Sequence, residues 1–194
     1  MSFTSKYATQ KIFNKWINDF SLIKVEIEKV LSGLAFSIEH VGSTAVPNLD
    51  AKPIIDIDVI YTEQPDFEKI KSRLENIGYY HNGNQGIEAR DVFKRKGIFT
   101  YSILDEIQHH LYVCPINSKA LERHILFRNF LRENDCARIK YHEMKYDLAE
   151  KANQDKKVYA ALKENYINSF IDAIIETEKL LQNNNYPVPK SSCS

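Results

Sequence analysis

Between Gln10 and Leu34, apolar residues fall at Phe13, Trp16, Ile17, Phe20, Ile27, Leu31 and Leu34, close to the spacing that gathers side chains on one face of a helix. This predicts an opening amphipathic helix with a break near Ser21. The period then changes. Ala35 to Val41 reads as a short strand closed by a Gly-Ser-Thr turn, and Pro53 to Tyr61 as a longer strand, with a short helix or structured loop between them. From Asp66 to Ile77 the helical period returns with Phe67, Ile70, Leu74 and Ile77, and Gly78 stands where helices commonly end.

Tyr79 to His81 starts another strand. NGNQG is turn chemistry, and Asp91 to Lys96 and Ile98 to Ile103 carry β-formers divided by Gly97, as in a meander. Ile107 to Cys114 alternates, with Leu111 and Val113 on one face and His110 and Tyr112 on the other. Beyond Ser118 the pattern is helical: Leu121, Ile125 and Leu131 mark one helix, Ile139 to Ala152 a second and Val158 to Leu181 a long third. The predicted class is α/β, a sheet flanked by helices and followed by a C-terminal helical layer.

Composition narrows the functional classes. A chain of 194 residues predicts one domain, here residues 1–185, and the polar, proline-bearing tail 186–194 is expected to be flexible. Lys plus Arg and Asp plus Glu balance at 26 each, so no global field draws nucleic acid or an anionic membrane, and Lys94-Arg95-Lys96 is too short for a nucleic-acid patch. No apolar run approaches the roughly 20 residues of a membrane span. The opening residues also lack a signal peptide's apolar stretch, so the expected location is cytoplasmic. Cys114, Cys136 and Cys193 fit neither a disulfide framework nor a zinc pair and read as scattered reduced thiols.

The candidate chemistry lies in PIIDIDVIY. Period-2 alternation puts Asp56 and Asp58 on one strand face, and two carboxylates so close disfavour each other's ionisation unless a cation offsets them. Magnesium suits such oxygen donors, and manganese is an alternative. Two solvent-facing aspartates at a sheet edge are the plain alternative for the pair alone. Upstream, Gly42, Ser43 and Thr44 follow a strand, where backbone N–H groups can meet a phosphate that glycine lets approach. Lys52, Arg90, Lys94 and Lys163 are candidate phosphate partners, with Arg best suited to bidentate contact. His40, two residues before Gly42, is placed at the mouth of the site, whereas His124 and His142 read as lone surface or capping histidines.

The order strand, Gly-Ser, spacer and D-x-D strand resembles the DNA polymerase β-like nucleotidyltransferase superfamily. HVGSTAVPNLDAKPIIDI, from His40 to Ile57, resembles the GrpB family more specifically. Further matches are GIEARDVFKRK (Gly86 to Lys96), His109-His110, FRNFLR (Phe127 to Arg132), and Tyr159, Lys163 and Ile167, so the resemblance runs from the first helix to about Ile174. It implies a nucleotidyltransferase-like mixed sheet. It further implies that Gly42 and Ser43 hold an NTP, and that Asp56 and Asp58 hold magnesium. Arg90 and Lys163 are favoured for phosphate because they match family positions. The superfamily usually adds a third carboxylate on a neighbouring strand, where this chain offers His110, read as the third catalytic and metal-binding group, and Tyr112 stands where the family usually has a second histidine. The function so implied is transfer of a nucleotidyl group to an unidentified acceptor, whether small molecule, RNA or protein. A non-catalytic nucleotide- or protein-binding module of the same fold is the alternative.

Overall fold

The computed structural model describes residues 10–97, 102–153 and 155–183. By internal packing the chain divides into two compact units, one from Ala8 to Ile125 that carries the sheet and one that holds the helical residues from Leu126 onward. The sheet unit opens with α1 (Gln10–Val30), followed by β1 (Phe36–Val41), β2 (Ile55–Tyr61), α2 (Gln64–Asn76), β3 (Tyr79–His81), β4 (Asp91–Arg95), α3 (Ser102–Glu106) and β5 (His109–Pro115). Helix α4 (Lys119–Glu133) spans the division, and α5 (Asp135–Lys151) and α6 (Lys156–Asn183) belong to the second unit. No helix among the described residues is long and apolar enough to cross a membrane.

The five strands lie in the order β1-β2-β5-β4-β3. β1 pairs antiparallel with β2, β2 parallel with β5, and the β4 pairings with β5 and β3 are antiparallel. The mixed sheet therefore agrees with the predicted class. Its parallel pair exists because α2, the β3–β4 hairpin and α3 intervene between β2 and β5; a parallel partner needs such a crossover rather than a tight turn.

One face of the sheet builds the main core. Ile38, Ile55, Ile57, Val59, Phe93, Leu111 and Val113 meet Trp16, Ile23 and Ile27 of α1 and Phe67, Ile70 and Leu74 of α2. Burying each such side chain fully contributes about 1.5–3 kcal/mol before conformational entropy is counted. The face of α1 differs slightly from its predicted one. Ile23 is fully buried and Ile17 is 36% exposed, so the inner stripe runs through Trp16, Ile23 and Ile27. The expected break at Ser21 is absent: α1 runs unbroken from Gln10 to Val30, with the Ser21 hydroxyl donating to the Ile17 carbonyl one turn back.

The opposite face carries a smaller apolar cluster in which Ile60, Cys114 and Leu121 pack with Tyr112 and Ile125, so the first turns of α4 cover it. Ser118 starts that helix, its Oγ accepting the Leu121 N–H at 3.3 Å. The expected strand from Ile98 to Ile103 is corrected at its end, since Ser102 and Ile103 belong to α3, while residues 98–101 lie outside the described ones. The tail 186–194 also lies outside them. Among the thiols, Cys114 is free and buried, whereas Cys136 is disulfide-bonded, contrary to the reduced state expected for it.

Candidate functional site

Strand register fixes the site. Asp56 sits between Val41 of β1 and His110 of β5, and Asp58 sits between Glu39 and Tyr112. Register partners share a face, so these side chains project on the α4 side of the sheet while Ile55, Ile57 and Val59 enter the main core. The predicted alternation holds, and with it the adjacency of the two carboxylates.

Each carboxylate accepts a hydrogen bond from an imidazole. His110 Nδ1 lies 2.9 Å from Asp56 Oδ1, and His124 Nδ1 lies 2.8 Å from Asp58 Oδ2. An ionised carboxylate only accepts, so both Nδ1 atoms carry the proton. The two pairs differ in exposure. His110 is 54% exposed and Asp56 29%, whereas Asp58 is 0% exposed beneath a His124 that is 25% exposed. The other oxygen of Asp58, Oδ1, is buried with no hydrogen-bond donor among the described residues.

Gly42 packs against the free side of Asp56. Its φ of 71° and ψ of −169° fall in a region open essentially to glycine. A Cβ there would overlap Asp56 Oδ2 and come within 3.0 Å of the Asp56 Cβ and Cγ. The absence of a side chain thus lets the Asp56 carboxylate lie directly against the Gly42 backbone. The following Ser43–Ala45 segment is a single 3-10 turn, closed by the Gly42 and Ser43 carbonyls accepting from Ala45 and Val46 N–H. One turn supplies little of the macrodipole of a long helix.

Thr44 serves the fold. Its hydroxyl donates to the Ile54 carbonyl at 3.4 Å and lies 3.0 Å from His40 Nε2, which therefore donates to it. His40 itself pairs with Ile57 in register and stacks on Phe20 at 4.6 Å, so it faces the main core and not the mouth of the site. Reading its two-residue distance from Gly42 as proximity ignored the alternation that turns it away.

Arg90 joins the site through Tyr112. Its guanidinium carbon lies 4.7 Å from the phenol centroid, and its Nε is buried without a hydrogen-bond partner among the described residues. The Tyr112 ring continues to His110 at 6.3 Å and His124 at 5.8 Å. Burial, then the Asp56 charge, push the Tyr112 phenol pKa well up, with Arg90 opposing, so Tyr112 stays neutral. Burial and the Asp58 charge raise the Cys114 thiol in the same way, leaving it unreactive.

Lys52 occupies the loop before β2, where its carbonyl accepts the Ile54 N–H. Lys163 belongs to α6 in the second unit, and its side chain lies outside the described residues. Among the described residues no three His, Cys, Asp or Glu side chains converge as a metal-binding group. His110 meets the pair as the hydrogen-bond partner of Asp56.

His124 was missed by sequence reasoning. A lone histidine carries no spacing signature, but its position three residues after Leu121 and beside Ile125 puts it next to the buried stripe of α4, and that was the available signal. His109 is the converse case. Its Nδ1 donates to the Ile107 carbonyl at 2.7 Å and its Nε2 accepts from the Tyr79 hydroxyl at 2.5 Å, so both nitrogens are committed to the fold.

Comparison with known proteins gives this geometry a context. The model of the GrpB protein family matches residues 9–173. Glutamate-rich protein GrpB of Alkalihalophilus pseudofirmus is 30% identical over 160 residues, covering 81% of this chain and 89% of its own. Two UPF0157 relatives, from Bacillus subtilis and Pseudomonas aeruginosa, are longer: the matches cover 37% and 61% of their lengths. The crystal structure of conserved protein GrpB from Enterococcus faecalis superposes with a TM-score of 0.68 at 29% identity, covering 84% of this chain and 94% of that one. The Cid1 poly(U) polymerase with MgGTP bound superposes with a TM-score of 0.51 at 13% identity, over 72% of this chain and 46% of Cid1. That likeness establishes a nucleotidyltransferase-like fold.

Proposed function

The chain belongs to the GrpB family, and from that premise we propose that it is a magnesium-dependent nucleotidyltransferase, moving a nucleotidyl group from an NTP to an acceptor hydroxyl or phosphate. The observation that carries the reading is the paired carboxylates of Asp56 and Asp58 on one strand face, one packed directly on a glycine turn and one with an orphaned buried oxygen. Both features suit a cation bridging protein carboxylates to phosphate oxygens, with magnesium or manganese as the fitting ions.

Asp56 Oδ2 and Asp58 Oδ1 are the atoms that would hold the ion. When bound, it would neutralise the triphosphate and favour the attacking oxygen. The acceptor oxygen forms a bond to the α-phosphorus as the bond to the β-phosphate bridge breaks, and pyrophosphate leaves. This chemistry is mostly positioning and charge compensation. His110 holds Asp56 through Oδ1. Gly42 and Ser43 admit the triphosphate to backbone N–H groups, and Arg90, stacked on Tyr112, offers guanidinium charge to it. Lys52 is a secondary candidate for the same role.

One observation favours a second reading, a non-catalytic nucleotide-binding module: among the described residues no three His, Cys, Asp or Glu side chains form a group that could hold a metal ion. Incubation with α-labelled NTPs, magnesium and mixed small-molecule, RNA and protein acceptors separates the two. Transfer of label by wild type that disappears in Asp56→Asn supports the enzyme. Bound nucleotide whose label never moves supports the module.

A further inference from the structure

We propose that His124 is a positioning residue for the metal-binding carboxylate, fixing Asp58 by one oxygen so that the other is presented to a divalent cation; this inference rests on the magnesium reading above. Three observations carry it. His124 Nδ1 holds Asp58 Oδ2 at 2.8 Å. Asp58 is fully buried, and its second oxygen has no donor among the described residues. Finally, the His124 ring lies 5.8 Å from Tyr112, which in turn carries the Arg90 guanidinium, so its orientation is set by packing on the same side of the sheet that holds Asp58.

The physical logic is that of an outer-shell partner. A carboxylate can rotate about its Cβ–Cγ bond and exchange its oxygens, and a single N–H donor of fixed direction removes that freedom. The hydrogen bond also leaves Oδ1 as the only oxygen of Asp58 not already committed. A buried acceptor without a donor is costly, and a cation held by Asp56 and Asp58 would compensate both that cost and the mutual repulsion of the pair. Leu121 and Ile125, packed against Ile60 and Cys114, anchor the turn of α4 that delivers the imidazole. The role is thus written into α4, an element outside both the Gly-Ser turn and the D-x-D strand.

Manganese(II) titration, with free ion followed by electron paramagnetic resonance, tests this on wild type, His124→Phe, His124→Asn and Asp58→Asn, each checked by thermal melting. Phe keeps a ring without a donor; Asn keeps an N–H with less ring. Loss of an outer-shell partner typically costs about 10–100-fold in metal affinity, and that loss is expected for His124→Phe with binding near wild type for His124→Asn. If His124→Phe does not fold, His124→Leu supplies the donor-less variant. Donor-less binding equal to wild type, with Asp58→Asn still deficient, overturns the role of His124 and leaves the metal reading intact. Wild type that binds no manganese overturns the metal reading and this inference together.

Discussion

Gly42 is the residue whose replacement has the most defined local consequence. Its backbone lies where a side chain is strained, and a Cβ would collide with the Asp56 carboxylate. Gly42→Ala is expected to cost about 1–3 kcal/mol in urea unfolding, the usual range for such backbone strain. The same variant should bind magnesium nucleotide more weakly, because Asp56 must move. His109 gives a pH prediction. Burial lowers its pKa below the ordinary 6.5, as do Arg95 and His110, against the pull of the Ile107 carbonyl and Asp105. Unfolding restores the ordinary value, so below about pH 6.5 the unfolded chain takes up a proton that the folded chain refuses. The stability contributed by the neutral ring is therefore full above that pH and is lost as pH falls towards the folded value. Urea midpoints of wild type should decline over this window more steeply than those of His109→Gln, and equal slopes would contradict the assignment.

Between elements, Arg73 of α2 provides the clearest test. Its Nη1 donates to the Val30 carbonyl at 3.2 Å and to the Ser32 carbonyl at 2.5 Å, tying the end of α1 to α2. Arg73→Ala should destabilise the protein by about 1.5–3 kcal/mol, the range for hydrogen bonds to charged groups, less whatever water recovers at this partly exposed end. A denaturation midpoint unchanged from wild type would show that the tie is idle. At this scale the sequence was informative where a period repeats: β2, α2 and β5 followed from alternation or helical spacing. Ser102 and Ile103 misled because β-formers within a short segment do not reveal that the segment turns into a helix. His40 and His124 were misplaced for a different reason. Their roles depend on which face of β1 or α4 is turned toward the aspartates, and that is decided by strand order and by packing across the sheet.

For the whole molecule, the absence of net charge means that any attraction for a triphosphate arises locally, from Arg90 and the turn at Gly42, against two fixed carboxylates. Nucleotide without a divalent cation should therefore bind poorly, and the cation should act as the link between like charges. The register of β1, β2 and β5 places the aspartates, His110 and the glycine turn together, and His124 on α4 belongs to the same sheet unit. The most direct measurement is calorimetric titration of the four NTPs, with and without magnesium, into wild type and the Asp56→Asn, Asp58→Asn double variant. The account predicts magnesium-dependent binding of at least one NTP by wild type and its loss in the folded double variant. Wild type that binds no nucleotide with any divalent ion, or a double variant that binds as well as wild type, would contradict it.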